Sequence, residues 1–270
     1  MDVTVVIVNY NTCDLTRECV SSVFKKTRDI EFEVVVVDNN SSDGSCEQLT
    51  KAFSQDKRFL LIPNSTNLGF AKACNQGIKI AKGKYIFLLN SDTELVDDTL
   101  TKLLAFAGER ENVGIVGPRL LNSNKTVQPS VYRLPTLGRT LQQYWFGKKG
   151  ILDKYAPEGD APSKVECIVG GAFLITPQAL KKVGSLDERY FMYFEDLDYC
   201  RRVQKAGLEV YYYPDTQVVH YHGASGKNMV PEELQWKRLI PSSRIYHGVV
   251  IHYLIGFIIW SSQKIQKVFG

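Results

Sequence analysis

From Val3 onward the chain alternates short, nearly unbroken apolar runs, rich in β-branched residues, with stretches in which apolar positions recur every three or four residues. The first pattern is that of strands buried on both faces of a parallel sheet, and the second is the stripe of a helix packed on such a sheet. Strands are predicted at 3–8, 33–37, 59–62, 85–89 and 113–116. Helices are predicted between them: one with Leu15, Cys19, Val20 and Val23 on its buried face, then 46–53, a segment near 70–80, and 98–107. After Pro118 the pattern loosens through residues 122–124, Pro129, Pro135 and 147–150. Regular structure is expected again at 169–176, in a helix starting at Pro177, in a second helix over 194–205, and in a strand pair at 210–213 and 217–219.

The polar residues fall where this arrangement makes them informative. Each early strand ends in small polar or acidic residues: Asn9-Tyr10-Asn11, Asp38-Asn39-Asn40, Asn64 with Asn67-Leu68-Gly69, and Asn90-Ser91-Asp92. Strand ends of a parallel sheet share one edge, where right-handed crossovers leave a ligand crevice. Any one cluster can be a turn or a helix cap; four at one edge point to a common site. Asp38 closes a run of valines, so its carboxylate sits at the rim of the sheet, suited to hydrogen bonds from a nucleoside. Asp92, beside Asn90 and Ser91, suits a hard divalent cation that also binds substrate phosphates.

Further along, Phe191-Met192-Tyr193-Phe194 precedes Glu195-Asp196-Leu197-Asp198 at a predicted helix start. Carboxylates are favoured there by the helix dipole alone. The functional alternative is that one of them faces an aromatic, poorly solvated pocket where burial raises its basicity. His220 and His222 follow a strand on the same side of an extended chain, and imidazole can complete a metal shell.

Composition narrows the field without overturning this picture. With 270 residues, 44% hydrophobic and 23% charged, the chain has a globular composition. A net charge of +4 is too small to suggest nucleic acid as a partner. The excess is local: residues 227–270 carry six basic and two acidic side chains, and the preceding residues carry 27 of each. The six cysteines lack the paired spacing of a zinc site and no signal-peptide pattern precedes Val3, so buried thiols in a cytoplasmic protein are expected. The apolar run 248–260 contains His252 and is shorter than the ~20 residues of a spanning helix.

Five ordered signatures resemble those of the inverting family 2 glycosyltransferases of GT-A fold, in the bacterial rhamnosyltransferase-like branch. They are Val-Ile-Val-Asn-Tyr-Asn at 6–11; Val-Val-Asp-Asn-Asn-Ser-Ser-Asp-Gly-Ser at 36–45; and Asn-Leu-Gly-Phe-Ala at 67–71 with Asn75. The last two are Asn-Ser-Asp at 90–92, and Gly170-Gly171-Ala172 with the 191–198 segment and His220. The resemblance runs from about Val3 to Ser225. It implies an α/β fold: a GT-A, Rossmann-like, mostly parallel central sheet with flanking helices, then a C-terminal helical tail. The implied organisation is a catalytic domain over 1–226, with a nucleotide-sugar-binding half at 1–118 and an acceptor-binding half at 119–226, followed by the basic, apolar tail 227–270.

The resemblance also implies roles. Asn9, Asn11 and Asp38 would hold the nucleoside, with Asn67 and Gly69 close by. Asn90, Ser91 and Asp92 would form the metal and diphosphate edge, Asp92 being the ligand, His220 joining it and His222 a weaker candidate. Asn90 stands where many members carry a first aspartate, a departure that weakens the implied metal site. Asp196 would be the catalytic base, Glu195 would contact acceptor hydroxyls, and Gly170 and Gly171 would let the backbone approach the sugar. The implied activity is inverting transfer of a sugar, rhamnose among the candidates, from a nucleotide-diphosphate donor to a glycan or lipid-linked acceptor in cell-surface polysaccharide synthesis, with Mg or Mn as cofactor.

Two other readings remain at this stage. A non-catalytic nucleotide-sugar or glycan binder is compatible with Asn90, and a sugar nucleotidyltransferase is disfavoured because no Gly-rich, basic phosphate loop lies near Asn9. The stretch 245–260, apolar nearly all round and flanked by Lys and Arg, fits either peripheral contact with the inner face of the cell membrane or packing on the domain or a second subunit.

Overall fold

The computed structural model describes residues 1–221 and 232–269, with the backbone alone for 232–238 and 268–269. The first half runs β1 (Val3–Asn9), α1 (Cys13–Lys26), β2 (Phe32–Asp38), α2 (Ser45–Phe53), β3 (Phe59–Pro63), α3 (Phe70–Ile80) and β4 (Tyr85–Asn90). It continues through β5 (Thr93–Leu95), α4 (Thr99–Gly108) and β6 (Val113–Leu121). The second half contains β7 (Val131–Tyr132), α5 (Leu137–Tyr144), β8 (Ser163–Val165), β9 (Cys167–Ile168), β10 (Ala172–Ile175) and α6 (Pro177–Val183). Then come α7 (Glu195–Lys205), β11 (Glu209–His220), α8 (Glu232–His247) and α9 (Val249–Phe269).

The main sheet has the order β3-β2-β1-β4-β10-β6-β11-β5, with β8 on the side of β11. β3, β2, β1 and β4 are parallel, as their unbroken valine-rich runs require. Alternate side chains of these strands feed two layers. Val3, Val5 and Ile7 pack with α1, α2 and α4 on one face; Val6, Ile86 and Leu88 pack with α3, α6 and α7 on the other. The sheet therefore sits between helices on both faces, and the carboxyl ends of β1, β2 and β4 open together at one edge.

Three features depart from the sequence-based expectation. β10 enters antiparallel between β4 and β6, so the two halves of the chain share one sheet. The expected break at Pro118 is absent: β6 continues to Leu121. Its partner β11 absorbs the missing proline N–H with a register shift between Tyr213 and Gln217, opposite Pro118 and Arg119. That shift makes the expected strand pair 210–213 and 217–219 a single bent strand. Finally, the tail is not one helix over 245–260. Gly248, at φ +78°, separates α8 from α9, which meet at 120°. No single helix among the described residues is long and apolar enough to cross a membrane. All six cysteines are free thiols, and every one but Cys46 is buried.

Candidate active site

The edge formed by β1, β2 and β4 is organised by buried polar side chains. Asn9 and Asp38 are register partners at the ends of β1 and β2, and both are buried. The Asn9 amide donates to Asp38 Oδ1 at 2.5 Å and to Ser41 Oγ at 3.0 Å, while Ser41 N donates to Asp38 Oδ2 at 2.9 Å. Asn9 Oδ1 in turn accepts from Thr12 Oγ1 and Thr16 Oγ1 at 2.8 and 2.6 Å. Every polar atom of Asn9 is thus committed to holding the Asp38 loop, as a buried amide demands. Asn11, at φ +54°, accepts from Ser42 N at 2.7 Å and so closes the same loop from the other side.

A second loop is stitched on by Asn39. Its amide donates to Asn67 Oδ1 and Gly69 O, and its oxygen accepts from Leu68 N and Asn64 Nδ2. Gly69 is required twice over. Its φ is +86°, and a Cβ there would lie 2.5 Å from the carbonyl oxygen of Phe191. The next residue, Phe70, donates its N–H to that same oxygen at 2.7 Å. The nucleoside-side loop therefore rests directly on the segment that leads to the carboxylates.

Thr12 extends the network to the third strand end: its one hydroxyl proton goes to Asn9 Oδ1, so the Ser91 hydroxyl, 3.0 Å away, donates to Thr12 Oγ1. Next to it the buried Asp92 Oδ1 lies 3.3 Å from His220 Nε2. His220 is oriented by Gln128, whose Oε1 sits 2.8 Å from Nδ1 and whose amide donates to His220 O and Asn122 Oδ1. Since Oε1 can only accept, Nδ1 carries a proton, and Nε2 is the ring nitrogen turned toward Asp92. An oxygen and a nitrogen facing each other in this way form a donor set that fits a divalent cation. Among the described residues no cluster of three or more His, Cys, Asp or Glu side chains is arranged to hold a metal. A cation here would complete its shell with other ligands, of which a diphosphate is a chemically natural one. Asn90 contributes through its backbone, N–H to Gly171 O at 2.9 Å and carbonyl from Thr93 Oγ1 at 2.7 Å.

Gly170 and Gly171 lie where the cation side meets the carboxylates. A Cβ at Gly171 would stand 3.5 Å from the His220 ring, and one at Gly170 would stand 3.5 Å from Asp196 Cβ. These are ordinary contacts, so neither glycine is forced by crowding. What their lack of a side chain leaves is bare backbone beside His220 and Asp196. Gly170 N–H also donates to Asp196 Oδ2 at 3.0 Å.

The three carboxylates at the start of α7 have three different environments. Asp198 is buried in a double ion pair with Arg201 and Arg202, both at 2.7 Å, which makes it structural. Glu195 is buried, and burial, with the Asp196 charge adding to it, pushes its carboxyl up to about 8. It therefore holds its proton at neutral pH and spares Asp196 a second negative neighbour. Asp196 is only partly buried. Desolvation raises its basicity, against the N–H groups of Gly170 and Leu197 and the charge of Lys154. Tyr193 and Phe194, both at φ +69°, turn the chain into α7. Such conformations cost about 1 kcal/mol or more each in non-glycine residues. They are held by Ser242 Oγ donating to Met192 O at 2.9 Å and by the Phe194 ring packing on Tyr246.

Some residues here carry no sequence signal. Gln128 lies in an irregular stretch remote in sequence from His220. With Asn122, Pro129 and Lys154 it lines a cleft of about 300 Å³. The Lys154 ammonium lies 5.5 Å from the centre of the Tyr132 ring and feels the Asp196 charge, while burial lowers its pKa. Conversely, Arg201 is committed to Asp198 and to stacking on Tyr246, and the indole N–H of Trp145 donates to Ile258 O in α9. His222 lies outside the described residues.

Comparison with known proteins gives a consistent picture. Residues 4–182 match the model of the family described as Glycosyl transferase family 2. An N-acetylglucosaminyl-diphospho-decaprenol L-rhamnosyltransferase of Mycobacterium tuberculosis is 29% identical over 210 residues, covering 71% of this chain and 67% of the relative. The dTDP-rhamnosyl transferase RfbF of Shigella flexneri is 25% identical over 222 residues, covering 81% of this chain and 68% of RfbF. Among solved structures, S. aureus TarS 1–349 has a TM-score of 0.62 at 18% identity. The mannosyltransferase PcManGT from Pyrobaculum calidifontis, in complex with GDP-Man and Mn2+, has a TM-score of 0.60 at 17% identity. The matches cover 92% and 94% of this chain but only 64% of each of those two chains. At such identities the structural likeness concerns the fold.

Proposed function

Because the chain belongs to glycosyl transferase family 2, with its GT-A architecture, we propose that the edge described above is an inverting sugar-transfer site using a nucleotide-diphosphate sugar as donor. The observation that carries this reading is the set of contacts along that edge. Hydrogen bonds join Asp38, Asn9, Thr12 and Ser91, Asp92 faces His220, and the Gly170–Gly171 backbone passes beside His220 and bonds Asp196.

In this mechanism Asp38, held in place by Asn9, receives the nucleoside with the Asn67–Gly69 loop. Asp92 and His220 would hold a divalent cation, which would supply positive charge to offset the negative charge developing on the diphosphate leaving group. The donor sugar lies against the bare backbone of Gly170 and Gly171. Asp196 Oδ1 or Oδ2 accepts the proton of an acceptor hydroxyl as that oxygen attacks the anomeric carbon. One displacement inverts the configuration. Glu195, turned inward and protonated at neutral pH, keeps the base from facing a second carboxylate, so the expected contact of its side chain with acceptor hydroxyls is not part of this mechanism.

The names of the relatives support a finer proposal: dTDP-rhamnose as donor and a lipid-linked diphosphate sugar as acceptor, in cell-surface polysaccharide synthesis. Lys154, half-buried in the cleft beside Asp196, is suited to an anionic acceptor. The test is a panel of nucleotide sugars scored by thermal stabilisation, followed by product formation from the labelled donor that stabilises most. If no nucleotide sugar raises the melting temperature with Mg or Mn present, the proposed site is wrong.

A further inference from the structure

One surface lies outside the transfer reaction. In α9, Val250, Tyr253, Leu254, Phe257 and Trp260 are between 43% and 72% exposed. At 100° per residue they share one side of the helix, whereas Ile258 and Ser262, on the flank next to Leu254, are buried. The inner side is fixed to α5: Trp145 Nε1 donates to Ile258 O at 3.3 Å, and Ser262 Oγ donates to Tyr144 O at 2.6 Å. Phe146, 73% exposed, follows directly on Trp145, which makes that contact. So large an aromatic and aliphatic surface is unusual on a water-facing helix.

Charge identifies what covers it. No Asp or Glu follows Glu233, and the apolar face is bounded by Arg244 at one end and Lys264 and Lys267 at the other, with Lys148 and Lys149 just beyond Phe146. An isologous pairing of two copies through this face would bring basic end against basic end. An anionic bilayer complements both the apolar centre and the basic margins. Spanning is disfavoured because α8 is bolted to the domain through buried Ser242 and Tyr246, and the 120° bend leaves α9 along the surface.

We propose that the exposed face of α9, together with Phe146, lies in the headgroup region of an anionic membrane. Since α8 also bonds to Met192, docking would hold the start of α7 at a fixed orientation to the bilayer. The experiment is co-sedimentation of the full chain with phosphatidylcholine vesicles, with and without phosphatidylglycerol, read alongside tryptophan emission. Wild type should bind the anionic vesicles with a blue shift. The Phe257→Ser/Trp260→Ser variant should bind at least about tenfold more weakly, and Lys264→Glu/Lys267→Glu should lose the preference for phosphatidylglycerol. Phe146→Ser, on a separate element, gives a second reading should the helix variant fail to fold by circular dichroism. Absence of wild-type binding, variants that bind like wild type, or a dimer in sedimentation velocity abolished by Phe257→Ser without any vesicle affinity would each overturn the inference. Binding is measured without donor or acceptor, so its failure leaves the transfer proposal intact.

Discussion

His220 and Gln128 grip each other at two points: Nδ1 of the imidazole lies 2.8 Å from Oε1, and the Gln128 amide returns to the His220 carbonyl at 3.3 Å. A side chain remote in sequence thereby fixes the ring plane of a candidate metal ligand and keeps a proton on its Nδ1. Partners of this kind typically govern affinity by 10–100-fold.

Gln128→Ala should therefore weaken Mn-dependent donor binding by about 10–100-fold while leaving metal-free binding unchanged. Asp92→Ala should abolish the metal dependence altogether. Calorimetric titration of donor with and without Mn checks both. Unchanged Mn-dependent affinity in Gln128→Ala would refute the orienting role.

Asp196→Asn preserves size and removes the basic site. Product formation should fall by about 10²–10⁴-fold, the usual contribution of a positioned base, with donor affinity near wild type. Unchanged turnover in a labelled-donor assay would take Asp196 out of the mechanism.

Glu195 gives a pH prediction with a definite sign. Its carboxyl rises from 4.5 in the unfolded chain to about 8 in the fold because burial penalises the charge. Between those values the unfolded state releases a proton that the folded state retains, so stability declines as pH rises from about 4.5 to about 8 and then levels. Glu195→Gln should flatten that slope and be more stable than wild type at the alkaline end. Urea denaturation at several pH values measures it, and parallel slopes in the two proteins would refute it.

Gly69→Ala and Gly170→Ala should separate stability from activity. At Gly69 the new Cβ would strike the Phe191 carbonyl at 2.5 Å with φ at +86°, costing about 1–3 kcal/mol and displacing the α7 entry. At Gly170 the methyl fits 3.5 Å from Asp196, so the melting temperature should stay near wild type while transfer falls. A large destabilisation at Gly170 would mean that the space is not what the glycine provides.

The parallel strands and the convergence of Asn9, Asp38 and Asp92 were legible because a buried parallel strand writes itself as a continuous apolar run, and its end as the first polar residue. β10 was visible as a strand but not in its direction, since its hydrophobicity is the same read either way. Pro118 misled because proline is normally excluded from inner strands; the register shift in β11 that accommodates it depends on a partner far along the chain. The identity of the buried carboxylate was hidden for a related reason. Glu195 and Asp196 are adjacent, and only the two left-handed residues before them decide which one turns inward. Gln128 and Lys154 sit in irregular chain, where no period marks a facing direction.

The placement of β10 also bears on how the chain assembles during synthesis. β4 and β6 emerge first, yet each lacks its neighbour until residues 122–171 have been made and β10 slots in between them. Until then β4 has one unpaired edge and β6, whose other neighbour β11 comes later still, has two, a template for pairing with other chains. Release of a fragment ending near Pro118 would leave that gap permanently open, so the two halves of the polypeptide are partners in folding as well as in binding.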